Sequence, residues 1–149
     1  MNDRQSRAHE FLRGYRVRLG IVRAAESDYE AASELAHSMT ARYGSSGGSG
    51  SPSGDSMARA AVRMMDVADE INDTASEMRS MYREIAGVIA SVGERSEICG
   101  DILRCVYMEG MSVQDVCQVL ARGRSPYSRS SVYRLLDTAL DIAADVMGE

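Results

Sequence analysis

The sequence contains no lysine and no tryptophan, a single phenylalanine and only two prolines. Aromatic residues make up 5% of it, so the core must come from Ala, Val, Leu, Ile and the 10 Met. Ala, Leu, Met, Arg and Glu are among the better helix formers. No segment alternates apolar and polar residues between turn signals, which leaves a sheet out of the expected fold. No run reaches the roughly 20 apolar residues that a membrane-crossing helix needs. The opening MNDRQSRAHE lacks the apolar stretch of a secretory signal. A soluble, all-α, cytoplasmic protein with no membrane partner is the expectation.

Cysteine is also scarce. The three are Cys99, Cys105 and Cys117. An odd count suits no disulfide framework, their spacing matches no zinc or redox pattern, and the two His lie far away in sequence. All three fall on apolar helical stripes and read as small buried hydrophobes in a reducing compartment. No metal or other cofactor is expected. The carboxylates Asp66, Asp69, Glu70, Asp73 and Glu77 have no His, Cys or Gly-rich phosphate loop beside them. They read as a solvated face. With no nucleophile beside a base, no metal triad and no nucleotide motif, an enzyme is not expected.

Without lysine, all 17 cationic side chains are Arg. Codon bias in a GC-rich genome is the plain reading of that composition. Its consequence is that every cation can make a bidentate contact to a phosphate or a guanine edge. The net charge of −5 argues against a nucleic-acid partner if taken as a sum. The distribution of charge decides more.

The 149 residues suit one compact domain, or a small domain with an appended helical element. Four segments can be distinguished. Residues 1–43 hold a long helix, expected from residue 3, with Leu12, Tyr15, Leu19, Val22, Tyr29, Ala36 and Tyr43 at helical spacings. Gly14 and Gly20 weaken its first half, which Arg4, Arg7, Arg13, Arg16, Arg18 and Arg23 make basic. That basic face reads as solvated, with a second nucleic-acid contact as the sharper alternative. Residues 44–55, ending in GSGSPSGD, form a flexible linker with Pro52 against helix continuation. Asp55 or Ser56 can cap the next helix.

Residues 56–93 carry the cleanest periodicity. Met57, Met64, Ile71, Met78, Ile85 and Val92 are seven apart, and Ala61, Ala68, Ala75, Tyr82 and Ile89 interleave with them. Such a seam needs a partner helix. Residues 3–43 folded back as an antiparallel coiled-coil hairpin are the favoured partner; a second copy in a homodimer is the other. Val92 and Gly93 are the expected end.

Residues 94–149 change character to short helices with explicit stops. A helix over 96–109 turns Ile98, Ile102, Cys105, Val106 and Tyr107 inward and stops at Glu109 and Gly110. Ser112 and Asp115 form a capping-box-like start for a helix over 113–121, with Val113, Val116, Cys117 and Leu120 inward. ARGRSPY is a turn with Gly123 and Pro126. Ser128 caps a last helix that buries Val132, Leu135, Leu136, Ala139, Leu140 and Ala143. This order is that of a helix-turn-helix. From Arg122 to Arg134 there are four Arg and no acid. The expected DNA-contact set is Arg122, Arg124, Ser128, Arg129, Ser130, Tyr133 and Arg134, with Ser112 at the start of the preceding helix. The plainer reading is an ordinary solvated loop and helix face.

The runs ILRCVYMEGMSVQDVCQVL and SRSSVYRLLDTAL resemble region 4 of bacterial sigma factors: a helix ending before a Gly, a Ser-capped short helix, and a recognition helix ending in an AL pair. The wider layout is similar to the ArpU/RinA-type phage regulators of late transcription, and the resemblance spans nearly the whole chain. The turn ARGRSPY is a few residues longer than region 4 usually has. The resemblance implies a phage- or prophage-encoded regulator that binds double-stranded DNA, with RNA polymerase as a further candidate partner, and no catalysis. The competing class is a coiled-coil interaction or packaging-associated protein whose C-terminal helices pack on a protein.

Overall fold

The computed structural model describes residues 1–45, 54–123 and 126–148. Among them every regular element is helical and no strand occurs. The order is α1 (Asp3–Ser45), α2 (Gly54–Arg95), α3 (Glu97–Leu103), a π-helical turn (Arg104–Met108), α4 (Val113–Gly123) and α5 (Arg129–Met147). No helix of the described residues is long and apolar enough to cross a membrane.

The chain divides into two compact units, Met1–Val17 with Met78–Glu149, and Arg18–Glu77. In the first, the α2 positions Ile85, Ile89 and Val92 are buried together with Ala8 and Leu12 of α1. Cys99, Leu103 and Tyr107, and Ala139, Leu140, Ala143 and Ala144 of α5, complete that cluster. The residues expected as a C-terminal domain from position 94 therefore share one core with the first turns of α1. The start of α1 explains why. Asn2 and Gln5 exchange hydrogen bonds with each other's backbone N–H, and Gln5, itself buried, donates from Nε2 to the carbonyl of Asp137 at 3.4 Å. Gly14 does not break the helix. It lets Met81 approach, whose sulfur would lie 3.2 Å from a Cβ there. The Tyr15 and Tyr82 rings meet edge-on at 5.4 Å.

In the second unit, Val22 is buried and Leu19, Met64, Ile71 and Ala75 are half-buried. Arg18 and Glu77 form an ion pair. Tyr29, expected on the inner stripe, is exposed, as is Ala61. Ala36, Tyr43 and Met57 have side chains outside the described set. Of the expected linker, Gly44 and Ser45 belong to α1 and Gly54 and Asp55 to α2. Asp55 and Ser56 thus stand inside the first turn of α2. Residues 46–53 lie outside the described residues.

α2 does not end at Val92 and Gly93 but runs to Arg95. Gly93 has a different job from stopping a helix. A Cβ on Gly100 would fall 2.7 Å from the Gly93 Cα and 3.0 Å from its N, so α2 and α3 cross with backbone against backbone. The break comes at Ser96, whose backbone is extended (φ −154°, ψ 106°).

Candidate nucleic-acid interface

The helix expected over 96–109 is two pieces. After Leu103 the backbone widens into the π turn, and the Glu109 N–H reaches the Arg104 carbonyl, five residues back, at 3.1 Å. The chain then reverses at Gly110, whose φ of +67° is left-handed. Only Gly enters that region without cost, and here it is required twice: the Arg16 guanidinium occupies the space a Cβ would need. The Met111 N–H returns to the Cys105 carbonyl at 2.9 Å and completes the stop.

The start of α4 is reciprocal. The Asp115 N–H donates to Ser112 Oγ (3.2 Å), and Asp115 Oδ2 accepts from the Ser112 hydroxyl (2.8 Å) and N–H (3.3 Å). This is the logic of a capping box with Asp in place of Glu. Val116 and Leu120 are buried against Ile102, Cys105 and Val132. Cys117 is only half-buried, unlike Cys99 and Cys105, because it stands at the edge of that cluster. Burial first, then Glu109 and Asp101, push the Cys105 thiol pKa up.

α4 continues past its expected end at Ala121 through Arg122 and Gly123. Ala and Arg favour helix, and Gly123 stays helical. Arg122 is therefore an exposed residue of the last turn of α4 and not part of a loop. Arg124 lies outside the described residues.

Ser128 caps α5: its Oγ accepts from the Ser131 N–H at 3.1 Å, with the extended backbone of an N-cap. From there the register follows the apolar stripe. Val132, Ala139, Leu140 and Ala143 are buried and Leu135 and Leu136 half-buried. Arg129, Ser130, Tyr133 and Arg134 are all exposed, Tyr133 to 52%. The hydroxyls of Ser112 and Ser128 are engaged in capping, so these two residues set helix starts.

Charge runs along α5 in one direction. Its first turn holds no acid, while Asp137, Asp141 and Asp145 are exposed farther on. Asp145 pairs with Arg4. Cations at a helix N-terminus oppose the macrodipole, and acids near its C-terminus do the same. α5 carries both, so its charges are not placed for helix stability. They leave its N-terminal half positive, with the dipole adding to that potential.

Several contacts that hold this frame have no sequence signal. His9 Nδ1 lies 2.6 Å from the Tyr107 hydroxyl, and the rings meet edge-on at 5.5 Å. Tyr107 is 4% exposed, and burial pushes its pKa up to about 12. Gln5 and Arg4 reach α5, and Arg16 covers the Gly110 turn. Each joins residues distant in sequence and carries no local spacing to read. Among the described residues no group of His, Cys, Asp and Glu is placed to hold a metal ion. No family model matches the chain, and neither does a curated protein or a solved structure.

Proposed function

We propose that this chain is a DNA-binding transcription regulator of the kind its sequence resembles, a phage or prophage regulator of late genes with a C-terminal helix-turn-helix. The observation that carries the reading is the outer face of α5, where Arg129, Ser130, Tyr133 and Arg134 are exposed together, beside an N-terminus free of acids. α4 and α5 act as the helix-turn-helix pair, and the first half of α5 enters the major groove. Arg129 and Arg134 reach guanine edges or phosphate, and Arg122 and Arg124 anchor the backbone. A phosphate at this end offsets the unfavourable placing of Arg against the helix dipole. α1 and α2 form the antiparallel hairpin. Gly14 against Met81 and Tyr15 against Tyr82 in the first unit, and Arg18 with Glu77 in the second, support that pairing.

The test is binding to late-promoter and random duplexes across a salt series. If all four Arg meet phosphates, log affinity falls with log salt at a slope of about −3 to −4 per subunit. Arg122→Ala shallows the slope for every sequence alike. Arg129→Ala costs roughly 1–3 kcal/mol and relaxes sequence choice where that Arg reads a base. If a variant lacking all four Arg binds both duplexes as the parent does, the reading is wrong. The alternative, a coiled-coil interaction protein, is favoured by the exposure of Ile21, Leu35, Val62 and Met65 on the long helices. It becomes the working reading if no duplex binds.

A further inference from the structure

The π turn does more than end a helix. An α-helix advances about 100° per residue, so side chains five apart diverge by about 140°. Closing a turn over five residues brings them back towards one side. Arg104 and Glu109 are related in this way, through the 3.1 Å hydrogen bond from the Glu109 N–H to the Arg104 carbonyl. Both line one cavity of about 360 Å³ on the first unit. Its remaining wall is Tyr82, Ala86 and Ile89 of α2, with Met108 from the turn itself. Ile89 is buried, Ala86 and Met108 are half-buried, and Arg104 and Glu109 are exposed at the rim. Among the described residues, no ion pair joins Arg104 to Glu109.

The cavity therefore has an apolar floor and two exposed opposite charges at its rim that do not pair with each other. Its volume lies at the small end of ligand sites, which span about 300–1,000 Å³. We propose that it binds a small zwitterion with an apolar body, the chemistry of a free apolar α-amino acid. Arg104 takes the carboxylate as a two-point contact, Glu109 takes the ammonium, and the side chain rests on Met108, Ile89 and Ala86. A neutral apolar molecule leaves both charges unused, and a simple anion or cation meets the opposite charge and its own like charge together. The site stands apart from α5 and does not depend on that helix reading DNA. An occupant bridges α2 to the turn that leads into α4, so binding stiffens that connection.

The experiment is calorimetric titration of the full chain with L-leucine, L-methionine and L-phenylalanine, each beside its N-acetyl and amide derivatives. At least one free amino acid binds saturably at millimolar or lower concentration. Losing either charge weakens binding about tenfold or more, the usual worth of a hydrogen bond to a charged group. Arg104→Gln and Glu109→Gln weaken it to the same degree and leave the unliganded melting temperature unchanged, as both side chains are exposed. Methyl resonances of Met108 and Ile89 shift on binding. The proposal is overturned if none of the three amino acids binds, if the derivatives bind as well as the parents, or if the shifted methyls lie elsewhere. The derivatives probe the unaltered protein, so a variant that folds poorly does not rescue the idea.

Discussion

Replacing Gly100 with Ala tests the closest approach in the fold. The added Cβ would sit 2.7 Å from the Gly93 Cα, 3.0 Å from the Gly93 N and 3.5 Å from the Ile89 carbonyl oxygen. All three are backbone atoms, so no side chain can swing aside. Ordinary contact begins near 3.4 Å, and α2 and α3 must separate by roughly 0.7 Å to restore it. A gap of 0.5–1 Å forfeits about a quarter to a half of the dispersion energy across a packed face. The face that opens holds Ile89, Val92, Cys99 and Leu103, all nearly inaccessible. Overpacking of this kind costs about 1–3 kcal/mol. Ala returns about 0.5–1 kcal/mol as the better helix residue, which leaves a net loss of up to about 2.5 kcal/mol. Gly87→Ala and Gly20→Ala are the controls, since nothing lies within 4 Å of a Cβ at either position. Both should stabilise by about 0.5–1 kcal/mol, the same chemistry with the opposite sign. Urea unfolding of the three variants reads these differences directly. If Gly100→Ala shifts the midpoint upward as Gly87→Ala does, the backbone crossing at Gly93 and Gly100 is not there.

Three further outcomes are expected of the same frame. Ser112→Ala should cost about 1 kcal/mol by thermal melt, because it removes the acceptor for the Asp115 N–H and leaves the carboxylate without its hydroxyl donor; an unchanged melt means α4 starts elsewhere. Gly110→Ala should lose about 1–2 kcal/mol from the left-handed backbone alone and more from collision with Arg16. In an Arg16→Ala background the loss should shrink, and equal losses in both backgrounds would show that Arg16 does not cover the turn. Tyr107 holds its proton in the folded state up to about pH 12, against 10 for the free phenol. The unfolded chain releases that proton first, so the contribution is fully present below pH 10 and is lost as pH rises to about 12. Its size is about 2–3 kcal/mol. Unfolding midpoints of the parent should fall across this window more steeply than those of Tyr107→Phe, and parallel curves would rule the linkage out.

What the sequence made legible were features with a local period or a local cap. The α5 stripe placed Val132, Ala139, Leu140 and Ala143 inside and Tyr133 outside, because a helix enforces that alternation once its start at Ser128 is known. The Ser112 cap was readable for the same reason: its partner Asp115 lies three residues away. The seven-residue repeat foretold a continuous α2. Features that depend on a distant neighbour were not legible. Gly93 read as a stop because a Gly after an apolar run usually is one, and only Gly100 across the contact gives it another role. The π turn has no composition of its own; ILRCVYM would fit an α-helix equally well. Arg122 was assigned to a turn because Gly123 and Pro126 drew the boundary too early. The basic start of α1 read as a solvated face, yet Arg4 and Arg18 hold ion pairs and Arg16 covers Gly110. A sequence shows an Arg but not what stands opposite it.

The first unit joins Met1–Val17 to Met78–Glu149, which sets an order on its making. A ribosome releases Ala8 and Leu12 well before the α5 residues they pack against. That core cannot close before α5 has been made, and closing it charges the entropy of a long loop. A fragment cut at position 94 lacks Ala8, Leu12, Ile85, Ile89 and Val92 and would expose the back of α5. An affinity tag fused ahead of Met1 sits a few residues from Gln5 and its bond to the Asp137 carbonyl. The start of α1 and the body of α5 are one structural neighbourhood, and a change at one acts on the other.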